Sequence, residues 1–264
     1  MHFVREGRGA PPLVFVHGFL CSHEDWKFQL KELQKDHEVV ACDLRAHGNT
    51  PGRPQEVSIE HFGGDVVALI NNLDLPAVVL IGHSMGCRVV LEANRVAPER
   101  VAGIVLIDGS RAGSGDPDAA EAAARASIEQ TGYKAWAEHL FRQMFFKQTP
   151  AAERLVQRAV RQSAEIGAAL WPRMARWDAA VLETALAAVR APVLVIQTTT
   201  RNAEGQRGPM APGQTSPYLD LLKTKIPGVR TEVLPGLGHF PQLEAPERVN
   251  ALIADFARSA AARR

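Results

Sequence analysis

The residues of this chain that most plainly suggest chemistry are Gly82-His83-Ser84-Met85-Gly86. A serine hydroxyl is a weak nucleophile near neutral pH, and it becomes effective only when the backbone presents it and a base takes its proton. Glycines two positions to either side permit a turn too sharp to hold side chains there, and a helix starting behind the serine favours the negative charge that develops on attack. The pentapeptide follows the apolar run 78–81 and opens a segment carrying Val89, Val90 and Leu91. A G-x-S-x-G between a strand and a helix is the nucleophile elbow, so Ser84 is expected to be a nucleophile.

Such an elbow needs a rigid strand beneath it and neighbours that bring a base to the same end of the sheet. Short β-branched and apolar runs recur at 13–16, 39–41, 78–81, 104–107, 193–196 and 232–234. They lack strict alternation, which predicts strands buried on both faces of a parallel sheet. Between them, residues 24–35, 59–74, 85–97 and 246–258 space their apolar residues three or four apart, as amphipathic helices do. Strand and helix in repeated alternation predict an α/β fold with a doubly wound, mostly parallel sheet. The repeat breaks after Asp108. From about 117 to 190 the chain reads as nearly all helix and carries Trp136, Phe141, Phe145, Phe146, Trp171 and Trp177. The expected organisation is a core of residues 1–116 and 191–264 with a helical cap, 117–190, lying over the strand C-terminal ends where ligands bind in open α/β sheets. The cap aromatics either line a pocket or pack the cap onto the body.

The whole-chain balance narrows the partners. Lysine and arginine number 30 against 29 acidic residues, a net charge of +1 that offers no field for nucleic acid or an anionic membrane surface. A small, mostly neutral substrate, apolar or aromatic, is expected instead. No uncharged run is long enough to cross a bilayer, and the N-terminus lacks the basic start and apolar stretch of a secretory signal, so the expected location is cytoplasmic. Cys21, Cys42 and Cys87 match neither a disulfide framework nor a zinc site and are read as reduced, buried thiols; no metal is expected.

With these motifs in place the chain resembles the α/β-hydrolase superfamily over essentially its full length. Val16-His17-Gly18-Phe19-Leu20 is similar to that family's oxyanion loop, which implies a hole formed by the backbone N–H groups of Phe19 and Met85. Asp43-Leu44-Arg45-Ala46-His47-Gly48-Asn49-Thr50 resembles a structural loop of the family, with Ala46 where glycine is usual and threonine in place of serine. Gly236-Leu237-Gly238-His239-Phe240-Pro241 resembles the loop bearing the catalytic histidine. Among nine histidines, only His239 has the family's order of serine before histidine near the C-terminus.

The acid departs from the usual pattern. Most members carry it just after the strand corresponding to 192–196, but here Gln197-Thr198-Thr199-Thr200-Arg201-Asn202-Ala203-Glu204 holds no aspartate. Two candidates remain: Asp108, which ends the preceding strand at a position some branches of the family use, and Glu204. Asp108 is favoured because a strand end is held more rigidly than a loop.

The resemblance implies hydrolysis of a small carboxylic ester or lactone through an acyl-Ser84 intermediate, with His239 as general acid and base and without a cofactor. The same fold also hosts carbon–carbon bond hydrolases, cofactor-free ring-cleaving dioxygenases and non-catalytic small-molecule receptors, so the fold alone does not select among them.

Overall fold

The computed structural model describes residues 1–202 and 206–261. Its strands are β1 (Phe3–Glu6), β2 (Leu13–Val16), β3 (Val39–Cys42), β4 (Val78–His83), β5 (Val101–Ile107), β6 (Val193–Gln197), β7 (Thr199–Arg201), β8 (Arg207–Pro209) and β9 (Arg230–Val233). Seven of them form one sheet in the order β1-β3-β2-β4-β5-β6-β9, with β1 antiparallel at one edge and every other neighbour parallel. All six strands expected from the sequence are present. β1 was not anticipated, because its alternately exposed residues give a short edge strand with little apolar signal. Nor was the small antiparallel hairpin of β7 and β8.

The helices of the body are α1 (Lys27–Leu33), α2 (Ile59–Asn72) and α3 (Met85–Val96), and, after the inserted block, α9 (Pro217–Lys225), α10 (Pro241–Glu244) and α11 (Pro246–Ala261). The central strands read as continuous apolar runs because both of their faces are covered. Val14, Val16 and Leu80 pack with Phe62 and Val66 of α2 and Val89 of α3, whereas Leu13, Phe15 and Val79 pack with Leu30 of α1 and Val249 and Ile253 of α11. From β2 the chain runs first to β3 on one side and then crosses back to β4 on the other. This reversal opens a crevice at the carboxyl ends of the strands.

Between β5 and β6 lie α4 (Pro117–Glu129), α5 (Tyr133–Arg142), α6 (Pro150–Arg161), α7 (Ala164–Ala180) and α8 (Leu182–Ala187). Three arginines tie this block to the body. Arg158 of α6 meets Asp25 at 2.5 Å, Arg173 of α7 donates to the carbonyls of Pro54 and Val57 at 2.6 and 2.8 Å, and Arg88 of α3 forms a two-pronged pair with Asp178 of α7 at 2.7 and 2.6 Å. Asp178 also accepts from the backbone N–H of Ala112, so one buried carboxylate joins α3, α7 and the segment after β5. Cys21, Cys42 and Cys87 are free and buried, and burial pushes the Cys42 and Cys87 thiols up to about 12. No helix among the described residues is long and apolar enough to cross a membrane.

A buried ion pair that loses one partner leaves a charge without compensation, a larger effect than the net worth of the intact pair. Asp178→Ala is therefore expected to lower the unfolding free energy by about 3–5 kcal/mol, measured by urea denaturation against wild type. A change within the error of the measurement would mean that the Arg88 guanidinium is solvated by other means.

Candidate active site

Ser84 stands between β4 and α3 with φ 54° and ψ −112°, a left-handed conformation that a side chain adopts only when its surroundings enforce it. Backbone bonds on both sides do so. Its N–H donates to the carbonyl of Ile107 on β5 at 2.9 Å, and its carbonyl accepts from Cys87 at 3.1 Å. The flanking glycines are required by space. A Cβ on Gly82 would lie 2.3 Å from the carbonyl oxygen of Gly86, and one on Gly86 would lie 2.3 Å from that of Val16.

Three side chains from three strand ends meet here. His239 Nε2 is 2.8 Å from Ser84 Oγ, and His239 Nδ1 is 2.6 Å from Asp108 Oδ2. Asp108 follows β5, and His239 lies in the turn after β9; both are buried. With its proton on Nδ1, the imidazole donates to Asp108 and leaves Nε2 free to accept from the serine hydroxyl, the arrangement a nucleophile and its base require. Glu204, the other acid considered, lies outside the described residues.

Asp108 Oδ1 accepts from the backbone N–H groups of Thr198 and Thr199, each at 2.8 Å, and Oδ2 accepts from the Thr199 hydroxyl at 2.6 Å. Arg207 Nη1 stands 3.4 Å from Oδ2. Burial alone would raise this carboxyl, but its hydrogen bond and attraction to His239, the charge of Arg207 and the Thr199 hydroxyl together bring it down to about 2. His239 moves well below its ordinary value, first through burial and then through repulsion by Arg207, with Asp108 opposing both. Arg207 Nη1 is 3.1 Å from His239 Nδ1. When Nδ1 carries its proton, Arg207 faces it as a like-signed neighbour and not as a hydrogen-bond donor.

Ser84 opens into a cavity of about 260 Å³. Phe19, Leu140, Met144, Trp171 and Met174 form its apolar wall, and Arg88, Arg111, Arg201 and Arg207 also border it. Met85 opens α3, so its N–H has no acceptor within the helix. A Cβ placed on Gly18 would stand 3.2 Å from Ser84 Cβ, which brings the loop carrying Phe19 alongside Ser84.

Of the six aromatics singled out between 117 and 190, Trp171 lines the cavity. Trp136 packs edge-on against Phe19 and Trp171, Phe145 stacks on Phe240 with centroids 5.1 Å apart, and Phe141 and Trp177 are fully buried. Phe146 is exposed. Most of these rings are therefore packing residues.

His17 and His83 brace loops. His17 ties Gly18 to Leu44, and His83 Nε2 holds the carbonyl of His239 at 2.7 Å. Asp43 is structural too, accepting the N–H groups of His23 and Asn49. Among the described residues, His2, His23 and Asp43 offer three potential metal ligands within 4.8 Å of one another. Both imidazoles bond Asp43 through Nδ1, at 3.0 and 2.9 Å, which accounts for the cluster without an ion.

Reading the sequence missed Thr198, Thr199 and Arg207. The segment after β6 lacks an acid yet still serves one, supplying two N–H groups and a hydroxyl to the carboxylate of the neighbouring strand. The absence of aspartate from 197–204 was the available signal.

Comparison with known proteins bears on the family and the fold. The model of the Alpha/beta hydrolase family matches residues 13–252. A dihydrolipoyllysine-residue acetyltransferase component of the acetoin cleaving system of Pseudomonas putida is 39% identical over 101 residues, 38% of this chain and 27% of that protein. Epoxide hydrolase 4 of Homo sapiens is 32% identical over 110 residues, 40% of this chain and 30% of that protein. The matched stretch thus spans less than a third of either relative. A malate-bound structure of a thermophilic esterase from Thermogutta terrifontis superposes with a TM-score of 0.80 at 28% identity, covering 98% of this chain and 93% of the other.

The charges around His239 lead to a measurable expectation. Because burial and Arg207 disfavour the imidazolium, His239 should remain neutral at pH 6.5 and titrate at more acid pH. Removing the neighbouring cation in Arg207→Gln should move the midpoint upward. NMR of the His239 ring nitrogens across pH measures both; a wild-type midpoint at or above 6.5, or a downward move in the variant, contradicts the assignment.

Proposed function

The chain belongs to the alpha/beta hydrolase family, and we propose that it is a serine hydrolase that cleaves a small carboxylic ester or lactone through an acyl-Ser84 intermediate. One observation carries this reading: the unbroken run of hydrogen bonds from Ser84 Oγ through His239 to Asp108, at 2.8 and 2.6 Å. His239 accepts the serine proton as Oγ attacks the carbonyl carbon. The oxyanion so formed is received by the N–H groups of Phe19 and Met85, the latter at the positive end of α3. Collapse expels the alcohol, which takes the proton from His239, and water then attacks the acyl-enzyme with His239 again as base. Asp108 keeps the proton on Nδ1 and stabilises the transient imidazolium.

The helices from 117 to 190, with the turns between them, act as a cap over this site, contributing Leu140, Met144, Trp171 and Met174 to the apolar lining against which the acyl group lies. A serine hydroxyl within reach of Nε2 is what acyl transfer requires, and it supports hydrolysis as the first reading beside the oxygenase and receptor alternatives.

Ser84→Ala should reduce turnover of aryl esters by on the order of 10⁴ or more while leaving the fold intact, since Gly82 and Gly86 shape the elbow. Circular dichroism beside kinetics tests both halves; near-wild-type turnover removes Ser84 from the mechanism.

The acid is assigned in the same way. Asp108→Asn should lower kcat about a hundredfold or more, whereas Glu204→Gln should stay within about tenfold. The reverse order would transfer the role to Glu204.

A further inference from the structure

Four guanidinium groups border the Ser84 cavity together with its apolar side chains. Arg88, Arg111, Arg201 and Arg207 border one cavity of about 260 Å³, and the last three also border an adjoining cavity of about 100 Å³. They converge from four parts of the chain: Arg88 one turn along α3 from Ser84, Arg111 just after β5, and Arg201 and Arg207 paired across the β7–β8 hairpin. A net charge of +1 over the whole chain gives no hint of such a concentration.

Arg88 and Arg111 each face an acidic partner in the protein. Arg88 is matched by both oxygens of Asp178, and Arg111 bonds Glu183 and the carbonyl of Gly113. Arg207 is different. Its side chain is only 4% exposed, and its charge shares the single carboxylate of Asp108 with His239. Its hydrogen bonds among the described residues, to Asp108 and to the Thr199 hydroxyl, both use Nη1, which leaves Nε and Nη2 without a partner there. Burial together with Arg201 and Arg88 lowers Arg207 to about 10, against the pull of Asp108. A cation so placed gains from an incoming anion, and the planar fork of a guanidinium fits a carboxylate with two parallel hydrogen bonds.

We propose that the substrate carries a carboxylate in addition to the bond that Ser84 attacks, and that these arginines, Arg207 foremost, receive that carboxylate. This rests on the serine-hydrolase reading. The substrate class is a short half-ester of a dicarboxylic acid, or a carboxylated lactone. The cavity lies at the small end of ligand sites, so ester and carboxylate are separated by only a few bonds. The hydrocarbon between them lies along Phe19, Trp171 and Met174.

The experiment compares monoethyl succinate with ethyl 4-methylpentanoate, in which an uncharged isopropyl group of the same shape replaces the carboxylate. The expected kcat/KM ratio favours the anion by about ten- to a hundredfold, shrinks with added salt, and collapses toward one in Arg207→Gln and Arg111→Gln. A ratio measured within each variant cancels any effect of Arg207 on His239, which would slow both esters alike. A second readout does not depend on turnover: labelling of Ser84 by a fluorophosphonate should be slowed by succinate and not by equal 1,4-butanediol. If neither ester is turned over but Ser84 is labelled, this protection decides the matter. Labelling with a ratio at or below one and no protection by succinate overturns the inference and leaves the hydrolase reading in place. Absence of both labelling and turnover overturns the hydrolase reading, and the inference with it.

Discussion

A carboxylate that is wholly buried has no water to solvate it, so the protein must occupy its lone pairs or it will not remain charged. Asp108 meets that demand with His239 Nδ1, the N–H groups of Thr198 and Thr199 and the Thr199 hydroxyl, and Arg207 adds a charge of opposite sign. The rest of the site depends on this arrangement. It draws the end of β6 against the end of β5, holds the imidazole ring in the plane that reaches Ser84, and sets the position of the hairpin that carries Arg207.

The second constraint is steric. The elbow at Ser84 turns so tightly, and packs so closely on the end of β2, that Gly82 and Gly86 have room for hydrogen alone. The left-handed backbone at Ser84 is sustained by its bond to Ile107, one residue before Asp108. Strain at Ser84 and satisfaction of the buried acid are thus linked through β5: the same strand end that supplies Asp108 also pins the serine. The inserted helices join this unit through the Arg88–Asp178 pair, which begins one turn beyond Ser84. The backbone N–H of His239, which donates to the carbonyl of Met144 at 2.8 Å, adds a second tie.

Electrostatics at the site differs from electrostatics of the chain. The near-neutral total suggested a mostly neutral substrate, and the aromatics between 117 and 190 suggested an apolar one. The fold brings both influences to one cavity, which Phe19, Trp171 and Met174 line together with Arg88, Arg111, Arg201 and Arg207. A sum over the chain carries no record of which cations face inward.

Much of what depends on neighbours along the chain was legible in the residues alone. Unbroken apolar runs marked strands covered on both faces, three- and four-residue spacing marked the helices, and glycines around Ser84 marked a turn with no space for Cβ atoms. The family resemblance carried His239, because motif order survives where contacts are invisible. What only the tertiary structure decided was which distant groups share one buried volume. Thr198 and Thr199 serve Asp108 from 90 and 91 residues away, and Arg207 from 99. Nothing in the local pattern of Arg201 or Arg207 separates an arginine facing solvent from one facing the nucleophile, since a guanidinium acquires its role from the charges and cavity around it, and those are set by how the strand ends pack together.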